Sequence, residues 1–172
     1  MSSPANEISI AIIDGVACVR ICGRANFNSS HDFRSAICEL QKAGHARFRL
    51  DLCDCLIMDS TFLGVLARLA LDAKDADASS ESKAFELIKP SERVAGLLDN
   101  LGVLELFEVT DGEGFADAKW KTAPSGPSPS RAEASKNSLA AHETLIEVNP
   151  ANEVKFKDVI KFLAEDLKKS DS

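Results

Sequence analysis

The chain has 172 residues, 45% of them hydrophobic and 27% charged, which suits one globular domain with an appendage and excludes two large domains or a disordered chain. A formal net charge of −7, no Tyr and a single Trp exclude the usual routes to nucleic acid, because phosphate attraction needs clustered Lys and Arg and base stacking needs aromatic platforms. No run of about 18 apolar residues is present for membrane insertion, Met1 to Glu7 is short and polar rather than a signal sequence, and the odd set Cys18, Cys22, Cys38, Cys53 and Cys55 reads as reduced thiols, so a cytoplasmic protein is expected.

Ile8, Ile10 and Ile12 alternate with small or polar residues, Asp14-Gly15 interrupts, and Val16 to Cys22 resumes a β-rich run, which predicts a two-residue hairpin. Ser29 or Ser30 then caps a helix carrying Phe33, Ala36, Ile37 and Leu40 at helical spacing until Gly44 ends it. Phe48, Leu50 and Leu52 alternate with Arg49 and Asp51, and the run turns wholly apolar at Leu56-Ile57-Met58, as expected of a strand entering the middle of a sheet. From Ser60 to about Ala76 the pattern is helical, with Leu63, Leu66, Ala67, Ala70 and Leu71 on one face. A polar loop follows from Asp75 to Lys83, then a strand from Lys83 to Ile88. Pro90 opens a helix from Ser91 to Asn100, and Gly102 ends it ahead of a strand from Leu104 to Val109. The expected order is ββαβαβαβ.

After Asp117 the composition changes. Thr122 to Ser130 is rich in Pro and Ser and predicts an extended linker. Ser130-Arg131-Ala132-Glu133 has capping-box spacing for a weak helix. Asn149-Pro150 opens a longer helix to about Lys169, with Phe156, Val159, Ile160, Leu163 and Leu167 along one face. An isolated helix of that length is marginal in water, so this stripe is expected to pack on the main domain or on a second copy.

The chemistry-bearing segment is Asp51 to Leu66, where an apolar strand ends in Asp59-Ser60 and an apolar helix begins. A hydroxyl at that junction sits where backbone N–H groups point outward, so an anion added there is tolerated and Ser60 is a candidate phosphorylation switch. The plainer reading is an N-cap, in which Asp59 or Ser60 accepts a hydrogen bond from an early helix N–H. The stretch from Asp51-Leu52 through Met58-Asp59-Ser60 to Leu63-Gly64-Val65 resembles the signature of STAS domains, the module shared by sulfate transporters and bacterial anti-sigma factor antagonists. Gly23, the run Lys89-Pro90-Ser91-Glu92-Arg93-Val94, Leu97, Gly102, Leu104 and Phe107 extend the resemblance.

That resemblance implies an α/β fold: a single STAS-like domain over residues 6–118, with a four- or five-stranded mixed sheet and helices on one side. Residues 119–135 are then a flexible linker and 136–172 a helical extension. It implies a non-enzymatic, cofactor-free binding module that regulates transcription, phosphorylated on Ser60 with Thr61 as the second choice. Its partners would be an anti-sigma factor serine kinase, which the unphosphorylated form binds so that a sigma factor is freed, and a PP2C-type phosphatase that reverses the mark. Partner contacts are assigned to Asp59, Ser60, Thr61 and Phe62. Where the family commonly continues with another serine and a glycine this chain has Thr61-Phe62, and Phe62 is expected to be exposed beside Ser60. A homodimer through the C-terminal helix is a further expectation.

The rival reading is a constitutive STAS-type accessory subunit of a lipid or anion transporter or of another signalling complex, with Ser60 merely a cap. Other chemistries lack support. Cys53 and Cys55 do not make the four-ligand set that structural zinc needs, and His31, His45 and His142 are scattered. No Ser-His-Asp order is discernible, and Gly112-Glu113-Gly114 does not open a helix as a phosphate cradle must. The lysines of the last helix, Lys155 to Lys169, are interleaved with Glu153, Asp158, Glu165 and Asp166, which describes a solvated face.

Overall fold

The computed structural model describes residues 6–76, 83–112, 115 and 118–170. Most of the polar loop expected from Asp75 to Lys83, and two residues of the Gly112-Glu113-Gly114 run, lie outside them. Strands β1 (Glu7–Ile13) and β2 (Val16–Ala25) pair antiparallel across Asp14 and Gly15. Both turn residues have positive φ, 52° and 78°, the left-handed backbone that a two-residue hairpin demands.

Helix α1 (Phe27–Lys42) starts earlier than its serines suggest. Its N-cap is Asn26, whose side chain accepts from the N–H of Asn28 and of Ser29, while Ser29 Oγ accepts from the Asn26 N–H in return. Ser29 is thus the reciprocal partner of the box rather than the cap. The single strand expected from Phe48 to Met58 is two. Strand β3 (Phe48–Asp51) pairs parallel with the first half of β2, and β4 (Cys55–Met58) pairs with its last three residues. Between them the Asp51 carboxylate accepts from Cys53 N at 3.1 Å, and Cys55 N donates to Leu52 O at 3.0 Å. Leu52 stays fully buried through this turn, which is why the apolar alternation runs on unbroken in the sequence.

The remaining elements are α2 (Ser60–Ala76), β5 (Phe85–Ile88), α3 (Glu92–Asn100), β6 (Glu108–Thr110), β7 (Lys121–Thr122), α4 (Arg131–Val148) and α5 (Glu153–Ser170). Leu104–Leu106, expected as the start of a strand, is a 3₁₀ turn. Within the stretch expected as a linker, β7 pairs with β1 and α4 begins at Arg131, capped by Ser130 as the spacing predicts. The sheet order is β6-β5-β3-β2-β1-β7 with β4 beside β2, a mixed sheet of seven strands among the described residues. It exceeds the expected four or five because the Phe48–Met58 run splits and β7 adds an edge.

Register separates the two faces of the sheet. Ala17, Phe48 and Phe85 align across β2, β3 and β5, as do Val19, Leu50 and Leu87, and this face packs on Phe33 and Ile37 of α1, Leu63 and Leu66 of α2, and Val94 and Leu98 of α3. The other face carries Arg20 beside Asp51 and Arg49 beside Glu86, each pair joined at 2.9 Å. Trp120 and Phe115 lie against the guanidinium carbons of Arg20 and Arg49, at 4.1 and 4.9 Å from ring centre. Helices therefore cover one face, and the chain leading to β7 covers part of the other.

Helices α4 and α5 form a hairpin outside α2. A 3₁₀ turn, Pro150–Asn152, joins them, and Asn149 caps it by accepting from Ala151 N. Asn152 is fully buried there, and its Nδ2 donates to Leu101 O and Leu145 O at 2.9 and 2.8 Å, tying the elbow to the end of α3. Replacing Asn152 by Ala leaves the Leu101 carbonyl without this donor, and urea unfolding should show a loss of about 1–3 kcal/mol. An unchanged midpoint would mean that the elbow does not hold the hairpin.

Candidate functional site

The site forms where β2 and β4 end, the carboxyl ends of neighbouring parallel strands. Asp59 N donates to Ala25 O across those ends, which fixes Asp59 beside the start of α1. Its carboxylate then caps two helices at once: Oδ1 accepts from Phe62 N and Oδ2 from Phe27 N, both at 2.8 Å. Asp59 is therefore the cap of α2, as the plainer reading had it, and Ser60 is released from capping to be the first helical residue.

The Ser60 hydroxyl has another partner. Ser60 Oγ lies 2.9 Å from His142 Nε2 on α4. The His142 Nδ1 lies 2.7 Å from the Ser138 carbonyl, which can only accept, so in the neutral ring the proton sits on Nδ1. Nε2 then accepts and Ser60 donates. One residue on, Thr61 Oγ1 meets Ser138 Oγ at 3.0 Å. The serine and histidine stand at the distance of a nucleophile and its base, but His142 is 4% exposed and Phe156 of α5 packs edge-on against its ring at 4.9 Å.

This contact depends on a missing Cβ. A Cβ on Gly64 would lie 2.4 Å from the Ala141 carbonyl oxygen and 2.6 Å from its Cβ, so only glycine lets α4 lie this close to α2. Above the crossing, Arg68 donates to Glu147 at 2.8 Å and to Asp72 at 3.1 Å. Burial alone would lower the Arg68 pKa, but these two carboxylates more than reverse it and hold the pKa above its usual value. Burial also pushes thiols of the sheet up, Cys55 to about 11, and Cys18 and Cys22 likewise upward. These are protonated, unreactive groups at neutral pH.

Of the residues assigned from the sequence, Asp59, Ser60 and Thr61 converge on this site, although Thr61 is buried under α4. Phe62 does not stand where it was expected. It is 0% exposed, its ring centre 4.8 Å from that of Phe33, because the second face of α2 turns into the core as fully as the first. The exposed aromatic next to Asp59 is Phe27, at 57%. His142, Ser138, Gly64 and Phe27 were not legible as site residues. One signal did exist: Phe62, Leu63, Leu66, Ala67, Leu69 and Ala70 leave no polar face on this part of α2, and a helix apolar on all sides needs cover on all sides. Among the described residues no group of three or more His, Cys, Asp or Glu could hold a metal, and no helix is long and apolar enough to cross a membrane.

A family model described as the STAS domain matches residues 7–116. Among solved structures the chain is similar to a proposed anti-sigma factor antagonist of Thermotoga maritima, with 21% identity, 61% of this chain and 86% of that chain covered, and a TM-score of 0.54. An NMR structure of the protein TM1081 covers 58% of this chain and 77% of its own at 21% identity, with a TM-score of 0.51. The anti-sigma factor antagonist SpoIIAA in its unphosphorylated form covers 62% of this chain and 89% of its own at 13% identity, with a TM-score of 0.47. A search of curated proteins found no match. At 21% identity the likeness to the first two of these structures is one of fold.

Because Phe62 is core, truncating it opens a cavity rather than an interface. Phe62→Ala should lose about 3–5 kcal/mol of stability and melt on the order of 10 °C lower. A melting temperature within a degree of the parent would return Phe62 to the surface.

Proposed function

The chain belongs to the STAS domain family, and on that premise we propose that it is an anti-sigma factor antagonist whose binding is switched by phosphate on Ser60. The observation that carries this reading is the division of labour at the head of α2. Asp59 satisfies the helix cap, so the Ser60 hydroxyl is not needed for that task and stands at the positive end of the helix. Thr61, the alternative acceptor, is buried and bonded to Ser138, which favours Ser60. The contact surface is Asp59 and Ser60 with the neighbouring exposed ring of Phe27, which takes the part first given to Phe62.

The partner is an anti-sigma factor serine kinase. It holds a nucleoside triphosphate and transfers the terminal phosphoryl group. The bond from phosphorus to Ser60 Oγ forms, the bond to the bridging oxygen breaks, the diphosphate leaves, and the hydroxyl proton passes to a base of the kinase. A phosphate at a helix N-terminus gains about 0.3–1 kcal/mol from the helix, so the domain stays folded. Nearly two added charges beside Asp59 repel an acidic or apolar partner surface and must be desolvated there, so binding is lost. A PP2C-type phosphatase restores the binding form, and kinase capture frees a sigma factor to direct transcription.

A constitutive accessory subunit remains the second reading, and one observation favours it: the Ser60 hydroxyl already has a partner in His142. Incubation with the cognate kinase and ATP, followed by phosphosite mapping, separates the two. Phosphate is expected on Ser60 and not on Thr61. Ser60→Ala should hold the kinase permanently, at about 1 kcal/mol in stability for the lost bond to His142, and Ser60→Asp should weaken binding only in part, since it supplies one charge in place of nearly two. Phosphate confined to other residues overturns the switch.

A further inference from the structure

We propose that the α4–α5 hairpin is a cover over the head of α2, and that a phosphate on Ser60 expels it. The inference rests on the reading of Ser60 as the phosphate acceptor and adds what the modification does to this chain itself. Helix α2 is sandwiched, with the sheet on one side and α4 on the other, so that Leu63, Leu66 and Ala67 are wholly buried and Thr61 and Leu69 nearly so. The seat of α4 leaves no slack, because backbone and Cβ of Ala141 occupy the space of the absent Gly64 side chain. One turn earlier that same seat sets His142 Nε2 at 2.9 Å from Ser60 Oγ.

With Oγ held where it donates to Nε2, a phosphoryl group that replaces its proton occupies that 2.9 Å gap. In the neutral ring Nε2 presents a lone pair, which opposes an oxyanion. A protonated ring would attract the phosphate but would still have to retreat by the depth of the group. Three contacts hold the imidazole in place: Nδ1 to the Ser138 carbonyl at 2.7 Å, the Phe156 ring edge-on against it at 4.9 Å, and the Gly64–Ala141 crossing. Thr61 and Ser138 close the neighbouring exit at 3.0 Å. The phosphate and the docked helix therefore exclude one another.

The hairpin is built to leave. What α4 buries is small or polar, namely Ser135, Ala141, His142 and Thr144, with Leu145 its one large, wholly buried apolar side chain among the described residues. In α5 no described residue is fully buried, and Phe162 is 66% exposed. The elbow, by contrast, is anchored: Asn152 holds Leu101 O, and Lys155 Nζ holds Asn100 O at 2.8 Å. These ties lie at the C-terminal end of α4, about two helical turns beyond His142 and three beyond Ser138, so the hairpin has a pivot displaced from Ser60.

The test is hydrogen–deuterium exchange on the full chain carrying phosphoserine installed at position 60 during synthesis, beside the unmodified chain and Gly64→Ala. The glycine variant leaves Ser60, Ser138 and His142 in place and removes only the room for the crossing, so it reports the undocked hairpin. Amides of residues 131–148 are expected to exchange at least tenfold faster in both altered chains, while those of β2 and β3 keep their protection. Unchanged exchange over α4 in the phosphorylated chain overturns the proposal, and so does a loss of protection that spreads through the sheet, because the hairpin would then not be a separable cover. Since the phosphoserine is installed without a kinase, phosphosite mapping that points elsewhere would sink the switch and leave this result standing. A cover that stays docked would sink the cover alone.

Discussion

One carboxylate organises the functional end of this molecule. Asp59 takes one free first-turn N–H group from each of two helices that arrive from different parts of the chain, α1 after β2 and α2 after β4, at 2.8 Å each. Helix N-termini carry unpaired donors and partial positive charge, and bringing two of them together needs an anion between them. Because Asp59 supplies it, the helices converge at the strand ends without mutual repulsion. The same service leaves Ser60 with a hydroxyl that no backbone group claims.

The opposite face of the sheet solves a different problem. A mixed sheet with helices on one side only must present its other face to water or cover it. Here the open face carries Arg20 and Asp51 on neighbouring strands and Arg49 and Glu86 on the next pair, with Thr110 Oγ1 donating to Glu86 at 2.8 Å. Trp120 and Phe115 then lie over the two guanidinium groups, so that the chain returning to β7 packs on charges already matched within the sheet. That return places β7 beside β1, and Ala123 N bonds to Ile8 O at 2.8 Å. The C-terminal segment thereby starts from a fixed edge.

From that edge the chain crosses to the helical side, and the outer layer forms where one side chain is absent. Glycine inside a helix costs helical stability, and Gly64 sits in the first turns of α2 where alanine would serve the helix better. Its return is proximity: α4 reaches Ser60 and Thr61 with short polar side chains, which a crossing one Cβ wider would leave out of hydrogen-bond range. The site is thus composite, made of a strand–helix junction and a helix from some 80 residues further along the chain.

The amino-acid sequence by itself determined the elements whose signals are local. The hairpin at Asp14-Gly15, the cap at Ser130, the Asn149-Pro150 start and the Asp59-Ser60 junction each rest on residues within a few positions of one another, and the backbone chemistry of turns and caps is local too. It misassigned what depends on distant partners. The cap of α1 fell to Asn26 because Ser29 answers it from inside the helix, the run from Phe48 to Met58 split because a turn held by Asp51 interrupts it while both halves run parallel to β2, and Phe62 went inward to pack on Phe33 of α1. Tertiary structure alone decided that His142 meets Ser60. Nothing within reach of either residue along the chain encodes that meeting; it follows from a missing Cβ at Gly64 and from packing that only the folded chain brings together.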